Sequence, residues 1–313
     1  MSRFGYACLN VTLGPKMGGF RSMIKRTWQQ KGLPYASSLM MDNVKILAGI
    51  INWNVKNDIQ VYRMTSTLAP WCSEYEFEQL PDWKKISGAL EKIGNFALAN
   101  NQRLSFHPGQ FNCLGSPKDN VINNCIKDLR SHGEIMDAMN LPRTHQSKIN
   151  IHIGGTYGDK QTAMDRWCKN FEKLPESVKS RLTIENDDKA TGFSVVDLHK
   201  VWQRLGTPIV FDYHHHTFCT GDLSIEDALK LAASTWPTGI KPVTHYSESA
   251  ADREGKSVTR TAHSAFVTGP INDYGIDIDC VIEAKAKELA VLQLRTGRSY
   301  EHLFSDKSNS GEE

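Results

Sequence analysis

Short apolar runs rich in β-branched residues recur eight times along the chain, each with the length of a β-strand. They are RFGYACL (3–9), IQVYRM (59–64), RLSFH (103–107), KINIHI (148–153), RLTIE (181–185), PIVFD (208–212), PVTHY (242–246) and IDCVIE (278–283). Helical segments separate them, so the sequence predicts a single (β/α)8 TIM-type barrel. A doubly wound open sheet is the alternative, because periodicity alone does not show that a sheet closes.

The segments between the runs carry signs of helices. In three of them apolar residues repeat every three or four positions, which predicts helices that bury one face. These residues are Met40, Val44, Leu47 and Ile51; Ile86, Leu90, Ile93 and Ala97; and Val121, Cys125, Leu129, His132 and Met136. Ser194 and Ser224 each occupy an N-cap position, and Asp227 follows Ser224 at the spacing of a capping box.

The chain reads as one domain. No linker or low-complexity stretch divides its 313 residues, so we predict a barrel domain over residues 1–304. The remaining residues, SDKSNSGEE (305–313), are polar, and we expect a disordered tail there. No stretch approaches the roughly 18 apolar residues of a membrane span, and residues 1–9 lack the features of a secretory signal.

The cysteines indicate a reducing compartment. They number seven, their spacing is irregular, and no C-x-x-C pair occurs. This pattern argues against a disulfide framework and against a thiolate zinc site, so we predict small buried side chains in a cytoplasmic protein.

Positive charge is concentrated in the first quarter of the chain. The net charge is only +2, but residues 1–70 carry nine Lys and Arg against two acids, Asp42 and Asp58. That segment is therefore +7 and the remainder −5. An uneven distribution of this kind suits contact with a polyanion, although a solvated helix face accounts for it equally well.

Six successive strand runs end in, or carry near their ends, a residue that can bind a metal. These residues are His107, His152, Glu185, Asp212, His245 and Glu283. In a β/α barrel the carboxyl ends of the strands face the active site, so the six side chains are predicted to converge. A single histidine there would more often be structural, but six in succession are hard to explain as structure.

Converging carboxylates require positive charge nearby, since they cannot all ionise in one pocket without it. Divalent metal ions would supply that charge. The predicted ligands are all nitrogen or oxygen, which favours Zn, Mn or Fe, and they are too many for one ion, so we predict two or three ions. Such multi-metal sites catalyse in-line displacement at phosphorus.

Six motifs occur in order across nearly the whole chain, from about residue 3 to about residue 292. They are GYACLN (5–10), TLG (12–14), SFHPGQF (105–111), HIGG (152–155), IEND (184–187) and IEAKAKE (282–288). In this order and spacing the sequence resembles the UV damage endonuclease family. The collinear set makes the resemblance specific, whereas H-P-G alone also occurs in other metal-dependent barrels.

The resemblance implies a β/α barrel that holds a cluster of divalent ions, Mn²⁺ being typical and Zn²⁺ or Mg²⁺ alternatives. It implies a monomer that needs no obligate protein partner. The enzyme would nick damaged double-stranded DNA immediately 5′ to UV photoproducts, both cyclobutane dimers and 6-4 photoproducts, and would accept abasic sites. Eight family ligands carry over, with Glu185, Glu283 and His245 as catalytic residues: His107, His152, Glu185, Asp212, His215, His245, His263 and Glu283.

The same resemblance assigns residues that contact DNA. Tyr6 and Asn10 resemble the family's pocket for flipped nucleotides, and Gln110 and Phe111 resemble the pair that enters the duplex at the lesion. Photodimers and abasic sites stack poorly, so extrusion costs less there than in sound duplex. In the run HHH (214–216), His216 matches a histidine that supports the ligands, and His214 has no counterpart and reads as structural.

The sequence departs from the family pattern at three places. Phe111 stands where tyrosine is usual, and Glu74 in PWCSE (70–74) stands where the family has histidine, so Glu74 is a further candidate metal ligand. Val243 occupies the place of a modified lysine in some members. Lys241 is about 6.6 Å further along the strand, so we predict no carboxylated lysine at the metals. Lys285 and Lys287 can reach phosphate or be solvated.

Three other functions remain open from sequence. A metal-dependent sugar isomerase or epimerase of similar fold would place the same residue types around an ion, but would not need the basic N-terminal segment. An endonuclease restricted to abasic sites is a second alternative. A damage-binding protein without catalysis is a third, against which the intact ligand set argues.

Overall fold

The computed structural model describes residues 2–304, and the predicted tail at 305–313 lies outside them. Eight parallel strands close into a barrel in chain order, β1 to β8, which confirms the predicted barrel. The strands are Arg3–Ala7, Val61–Met64, Arg103–Phe106, Ile149–Ile151, Leu182–Glu185, Ile209–Asp212, Val243–Tyr246 and Asp279–Ile282. Each lies within its predicted run, because strands covered on both faces are apolar throughout.

Helices surround the barrel and return the chain to the start of each strand. From α1 to α11 they are Gly14–Met17, Lys25–Lys56, Trp83–Ala99, Asp119–Ala138, Lys160–Phe171, Glu176–Lys179, Val195–Leu205, Tyr213–His216, Ile225–Ser234, Ala250–Glu254 and Glu288–Thr296. The predicted caps are present: the Ser194 and Ser224 hydroxyls accept the backbone N–H of Asp197 and Asp227. Helix α2 is broken at Gly32, whose φ of 55° is not helical.

The core fills the space between the sheet and the helices. The predicted faces of α2, α3 and α4 are buried in it, with one shift: Ile122 is buried and Val121 only in part. No helix among residues 2–304 is long and apolar enough to cross a membrane.

The closing pair of strands is tied by charge at the amino-terminal end of the barrel. Residues Arg3 to Tyr6 of β1 pair in register with Asp279 to Ile282 of β8. The Arg3 guanidinium donates to both carboxylate oxygens of Asp279, at 2.7 and 2.6 Å, and the buried Arg103 donates to the same carboxylate at 3.0 Å. These charged residues lie at the amino-terminal ends of the strands, and the residues predicted to bind metal lie at the opposite, carboxyl ends.

Candidate metal centre

The strand ends bring the predicted ligands to one face. Glu185 and Asp212 are the last residues of β5 and β6, and His245 lies within β7. His107, His152 and Glu283 directly follow β3, β4 and β8, and His215 follows β6 on the single turn of α8. Because the strands are parallel and closed, these side chains meet at the carboxyl end of the barrel.

Glu185 lies at the centre of the cluster. Its Oε2 is 3.0 Å from His107 Nε2 and 3.1 Å from His245 Nδ1, and its Oε1 is 3.4 Å from His215 Nδ1. The His152 ring lies beside those of His107 and His215, with centroids 5.5 and 5.7 Å away. One carboxylate therefore faces nitrogen donors from several strands.

Two groups of three side chains could each hold an ion. In the first, His107, His152 and Glu185 offer donor atoms that all lie within 4.8 Å of one another. In the second, Glu185, Asp212 and His245 do the same. Because Glu185 belongs to both groups, the geometry fits two neighbouring ions that share one carboxylate.

Two buried atoms in the second group support a cation. Asp212 Oδ2 is inaccessible to solvent and has no hydrogen-bond partner, and the buried His245 Nδ1 faces carboxylate oxygens of Glu185 and Glu283 at 3.1 Å without a well-formed hydrogen bond to either. A carboxylate oxygen left in this way is costly, since burial removes its hydration. Burial accordingly raises the pKa of Asp212 to about 7. A divalent ion between these atoms would satisfy both, so the residues present fit the metal that the cluster implies.

The remaining ligands extend the cluster along the rim. His245 Nδ1 is also 3.1 Å from Glu283 Oε1, and His263 Nδ1 is 3.8 Å from Glu283 Oε2. Burial lowers the pKa of His107, and it lowers the pKa of His245 to about 4, which leaves both imidazoles neutral, as metal binding requires. Burial opposes ionisation of Glu185, but its interactions with the imidazoles of His245 and His107 outweigh that effect and lower its pKa.

The residues that follow Glu185 orient two of the histidines. Asp187 Oδ1 is 2.9 Å from His152 Nδ1, and the backbone carbonyl of Asn186 is 2.9 Å from His215 Nδ1. Partners of this kind fix the ring and the tautomer of a metal-binding histidine. The sequence analysis predicted no role for these two residues of the IEND motif. Their position directly after the predicted ligand Glu185 could have indicated that they contact the other ligands.

Two buried polar residues of β4 and its approach were also missed. Asn150 Nδ2 donates a hydrogen bond to Glu185 Oε2, and the Thr183 hydroxyl donates one to Asn150 Oδ1 at 2.8 Å. Lys148 is fully buried, with Nζ 3.4 Å from His245 Nε2, and burial lowers its pKa to about 7. Residues 148, 150 and 152 alternate along one strand, so the alternation could have placed all three on the inner face.

Two predicted site residues lie away from the cluster. Glu74 is exposed on the 3-10 turn Cys72–Glu74 and belongs to neither ligand group, so the structure does not bring it to the metals. His216 is buried, with Nε2 3.1 Å from the Leu223 carbonyl and its ring against Phe211. It therefore supports the loop after β6, and its role beside the ligands stays a prediction.

Residues 241 and 243, at or near the place of the family's modified lysine, both lie away from the ligand groups. Val243 is buried in β7, and Lys241 Nζ lies 2.8 Å from Asp277. His214 packs against Phe218, in keeping with a structural residue.

The predicted DNA-contacting residues fall into two pairs. Phe111 is 83% exposed and Gln110 is exposed beside it, on the loop after β3. Tyr6 is fully buried, and its hydroxyl donates to Asn54 at 2.8 Å and accepts from Asn10 at 2.9 Å. Tyr6 thus offers no surface to a nucleotide in this state, and its role in lesion binding stays a prediction.

A cavity of about 510 Å³ opens between the loops that follow β3, β4 and β5. Gln110 lines it on one side, and His152 and His215 line it on the side of the cluster. Gln110 and the candidate metal centre therefore share one opening, and Phe111 stands exposed next to Gln110.

The fold and this centre define a class of protein: β/α barrels with a centre rich in histidine and carboxylate at the mouth, suited to divalent metal ions. Residues 2–307 match the family described as UV-endonuclease UvdE. The chain belongs to this family, and the resemblance seen in the sequence is confirmed.

Individual relatives agree with the family assignment. The UV-damage endonuclease of Schizosaccharomyces pombe is 36% identical over 305 residues, covering 93% of this chain and 50% of that protein. The chain thus spans about half the length of that relative. The UV DNA damage endonuclease of Bacillus cereus strain B4264 is 32% identical, covering 93% of each. The crystal structure of SacUVDE superposes with a TM-score of 0.80 at 30% identity, over 94% of this chain and 96% of that one.

Sugar-converting enzymes share the architecture alone. A D-psicose 3-epimerase from Clostridium cellulolyticum H10 superposes with a TM-score of 0.52 at 12% identity, over 83% of this chain and 87% of that one. This likeness shows the barrel fold and carries no argument about the reaction.

Proposed function

We propose that this protein is a DNA repair endonuclease that hydrolyses duplex DNA immediately 5′ to cyclobutane dimers and 6-4 photoproducts, and that it also incises at abasic sites. The observation that carries the proposal is Glu185, shared between two ligand groups at the barrel mouth. Membership of the UvdE family supports the choice of damaged DNA as substrate.

The residues present would hold the ions in two adjoining sets. His107, His152 and Glu185 form one set, and Glu185, Asp212 and His245 form the other; His215, His263 and Glu283 complete the coordination at the rim. We propose Mn²⁺, with Zn²⁺ or Mg²⁺ as alternatives, because the donors are nitrogen and oxygen only. Bound ions would supply the Lewis acidity that phosphodiester hydrolysis requires.

Lesion recognition falls to the exposed pair on the loop after β3. The ring of Phe111 stands free of the core, so it can stack in the gap that extruded bases leave. Gln110 beside it offers an amide to the orphaned bases. Poorly stacked lesions are the easiest to open, which gives the pair its selectivity.

The proposal includes damaged duplex DNA as the partner, a monomeric enzyme without an obligate protein partner, and a cytoplasmic location. All seven cysteines are free, and none forms a disulfide, which supports a reducing compartment.

An incision assay tests the proposal. End-labelled duplexes with one photodimer, one abasic analogue or no lesion are incubated with protein and Mn²⁺ or EDTA. We expect a Mn²⁺-dependent nick immediately 5′ to the photodimer, a nick at the abasic analogue, and none in the undamaged duplex. Cutting of the abasic duplex alone would make the protein an abasic-site endonuclease.

Two Glu→Gln variants compare the effect on incision of a change in the candidate metal centre with that of the same change elsewhere on the surface. Glu185→Gln removes the shared ligand, and we expect at least about a 100-fold loss of incision, since even residues that only orient ligands contribute 10- to 100-fold. Glu78→Gln makes the same change at an exposed position on the turn Phe77–Gln79 and should leave incision unchanged. Equal activity of the two variants would contradict the assignment of the centre.

A further inference from the structure

One wall of the barrel mouth carries cations instead of metal ligands. Strands β1 and β2 contribute no member of the ligand cluster; they lie between β8 and β3, on the side of the barrel away from β5. In the register of these strands Ala7 pairs with Arg63, and Tyr6 pairs with Ile282, the residue before Glu283. Arg63 and Glu283 therefore stand at the same level along the barrel, on either side of β1.

Arg63 points into the mouth and is only partly satisfied. Its Nη1 donates to Glu283 Oε1, and both side chains are 13% exposed. Among residues 2–304 the other nitrogens of this guanidinium have no hydrogen-bond partner. A guanidinium that uses one of its donors keeps a free edge for a planar or tetrahedral anion.

Lys287 lies near Arg63 at the mouth of the barrel, and its backbone conformation there is strained. It precedes α11 with φ 53° and ψ −123°, a conformation in which a side chain is strained. The side chain is half-buried, and its ammonium has no ion pair or hydrogen bond among the described residues. Burial lowers the pKa of Lys287, and the nearby charge of Arg63 acts in the same direction.

The nearby acid does not account for this lysine. Glu288 is occupied by the loop after β1: its carboxylate accepts the N–H of Val11 at 2.9 Å and the N–H and hydroxyl of Thr12 at 2.7 and 2.9 Å. Glu283 is already paired with Arg63. Two cations thus share one corner with donors that no described acid accepts, and one of them, Lys287, is held there in a strained conformation.

We propose that Arg63 and Lys287 form an oxyanion site that binds a backbone phosphate of the DNA, across the mouth from His152 and His215. The two side chains only donate, so the ligand must be an anion with several acceptor oxygens, as a phosphodiester is. This inference rests on the proposed endonuclease function and adds a protein contact that is independent of the ions. It separates the residues that bind the backbone from those that bind metal.

The test compares Arg63→Gln and Lys287→Gln with Lys92→Gln, which makes the same change on the exposed outer face of α3. Incision of the photodimer duplex is measured with Mn²⁺ at several salt concentrations. We expect kcat/KM to fall about 10- to 100-fold in the first two variants, chiefly through KM. The slope of log kcat/KM against log salt should become shallower by about 0.9 in each, the value of one phosphate contact. Lys92→Gln should match the wild type.

Two further readouts do not depend on activity. Mn²⁺ affinity, measured by electron paramagnetic resonance, should be no weaker in either variant; a large loss in Arg63→Gln would mean that Arg63 acts only by holding Glu283, and would overturn the inference. Lys287→Gly removes both the ammonium and the strain, so it should melt at a higher temperature than the wild type while losing the same salt dependence. A lower melting temperature would assign Lys287 a structural role.

Failure of the oxyanion site and failure of the proposed endonuclease function give different results in these experiments. If the wild type incises the lesion duplex and the two variants keep its salt slope and KM, the oxyanion site is wrong and the endonuclease stands. If the wild type does not incise at all, the proposed function fails first.

Discussion

Phe111 holds an aromatic ring in solvent beside an opening lined by histidines. A ring exposed in this way contributes little to the folded core, and burying it elsewhere would be favourable. Its position directly after Gln110 places it where a duplex would approach the candidate metal centre. We therefore propose that Phe111 serves binding, since its exposed ring packs against little of the core.

Phe111→Ala should separate binding from stability. We expect lesion incision to fall about 10- to 100-fold, the value of one base stacked on an aromatic ring, and the free energy of unfolding to change by less than about 0.5 kcal/mol. Incision kinetics and urea unfolding measure the two quantities. Phe96→Ala, at a partly exposed phenylalanine on α3, is the control and should leave incision unchanged. A Phe111→Ala protein that incises normally would remove this residue from lesion binding.

Asp187 offers a second test at a single residue. Asp187→Asn keeps the shape of the side chain and removes the charge beside His152 Nδ1. We expect Mn²⁺ affinity to fall about 10- to 100-fold, because the imidazole is then less basic and less firmly oriented. Isothermal titration calorimetry measures this affinity. Asp165→Asn, at an exposed carboxylate paired with Arg204, is the control, and equal affinity in both variants would argue against the orienting role.

Helix α3 shows how closely the outer elements pack. A Cβ added at Gly94 would fall on the backbone carbonyl of Met139, just after α4, where no side chain can move aside. Gly88 on the same helix has no atom within 4 Å of that position. The two glycines thus have different effects. Gly94 permits the close approach of α3 and the residue after α4, whereas Gly88 only lowers the helix propensity of α3.

Alanine at the two positions should act in opposite directions. Gly94→Ala should destabilise the protein by about 1–3 kcal/mol through overpacking, and Gly88→Ala should stabilise it by about 0.5–1 kcal/mol through helix propensity. Chemical denaturation of both variants measures the difference. Destabilisation by Gly88→Ala to the same degree would show that the contact with Met139 is not the cause.

The elements were predictable from sequence to a greater degree than the contacts between them. Strands covered on both faces are apolar runs, and Ser194 and Ser224 mark helix starts by a local hydrogen bond, so both kinds of signal lie in consecutive residues. The partner of His216 is a carbonyl contributed by Leu223 from a loop, and no periodicity predicts it. Glu74 lies on irregular 3-10 turns, where the direction of a side chain has no repeat to follow.

The candidate site shows the same division. The ligands were predictable because parallel strands must end together, which brings His107 and Glu283 to one face whatever the loops do. The contacts of Arg63 with Glu283 and of Lys148 with His245 were not, because the partners come from strands far away in the chain. Long-range contacts of this kind depend on how the barrel closes, which sequence periodicity does not contain.

For the molecule as a whole, we expect the candidate metal centre to make the free energy of unfolding depend on metal. Glu185, Asp212 and Glu283 are three carboxylates held together at the mouth, and a bound cation would relieve their repulsion only in the folded state. At a free Mn²⁺ concentration 100 times Kd, one site should add about 2.7 kcal/mol to the free energy of unfolding. Differential scanning calorimetry with Mn²⁺ or EDTA measures the effect as a higher melting temperature.

The control for this prediction is Glu185→Gln, which should lose most of the Mn²⁺-dependent increase in melting temperature. An equal increase in the variant would place the stabilising ion elsewhere on the protein.

The ion pairs of Arg3 and Arg103 with Asp279 also bear on how the protein is made. Arg3 and its carboxylate are 276 positions apart, so the first strand gains its second neighbour only after residues 279–282 have been translated. Before that point the nascent chain carries an open strand edge, which invites pairing with other chains, and two arginines without their shared acid. Glu283 follows Asp279 out of the ribosome. A nascent chain that stops before Asp279 therefore lacks both the ion pair that closes the barrel and the acid at its mouth, so we expect no nuclease activity before Glu283 has been synthesised.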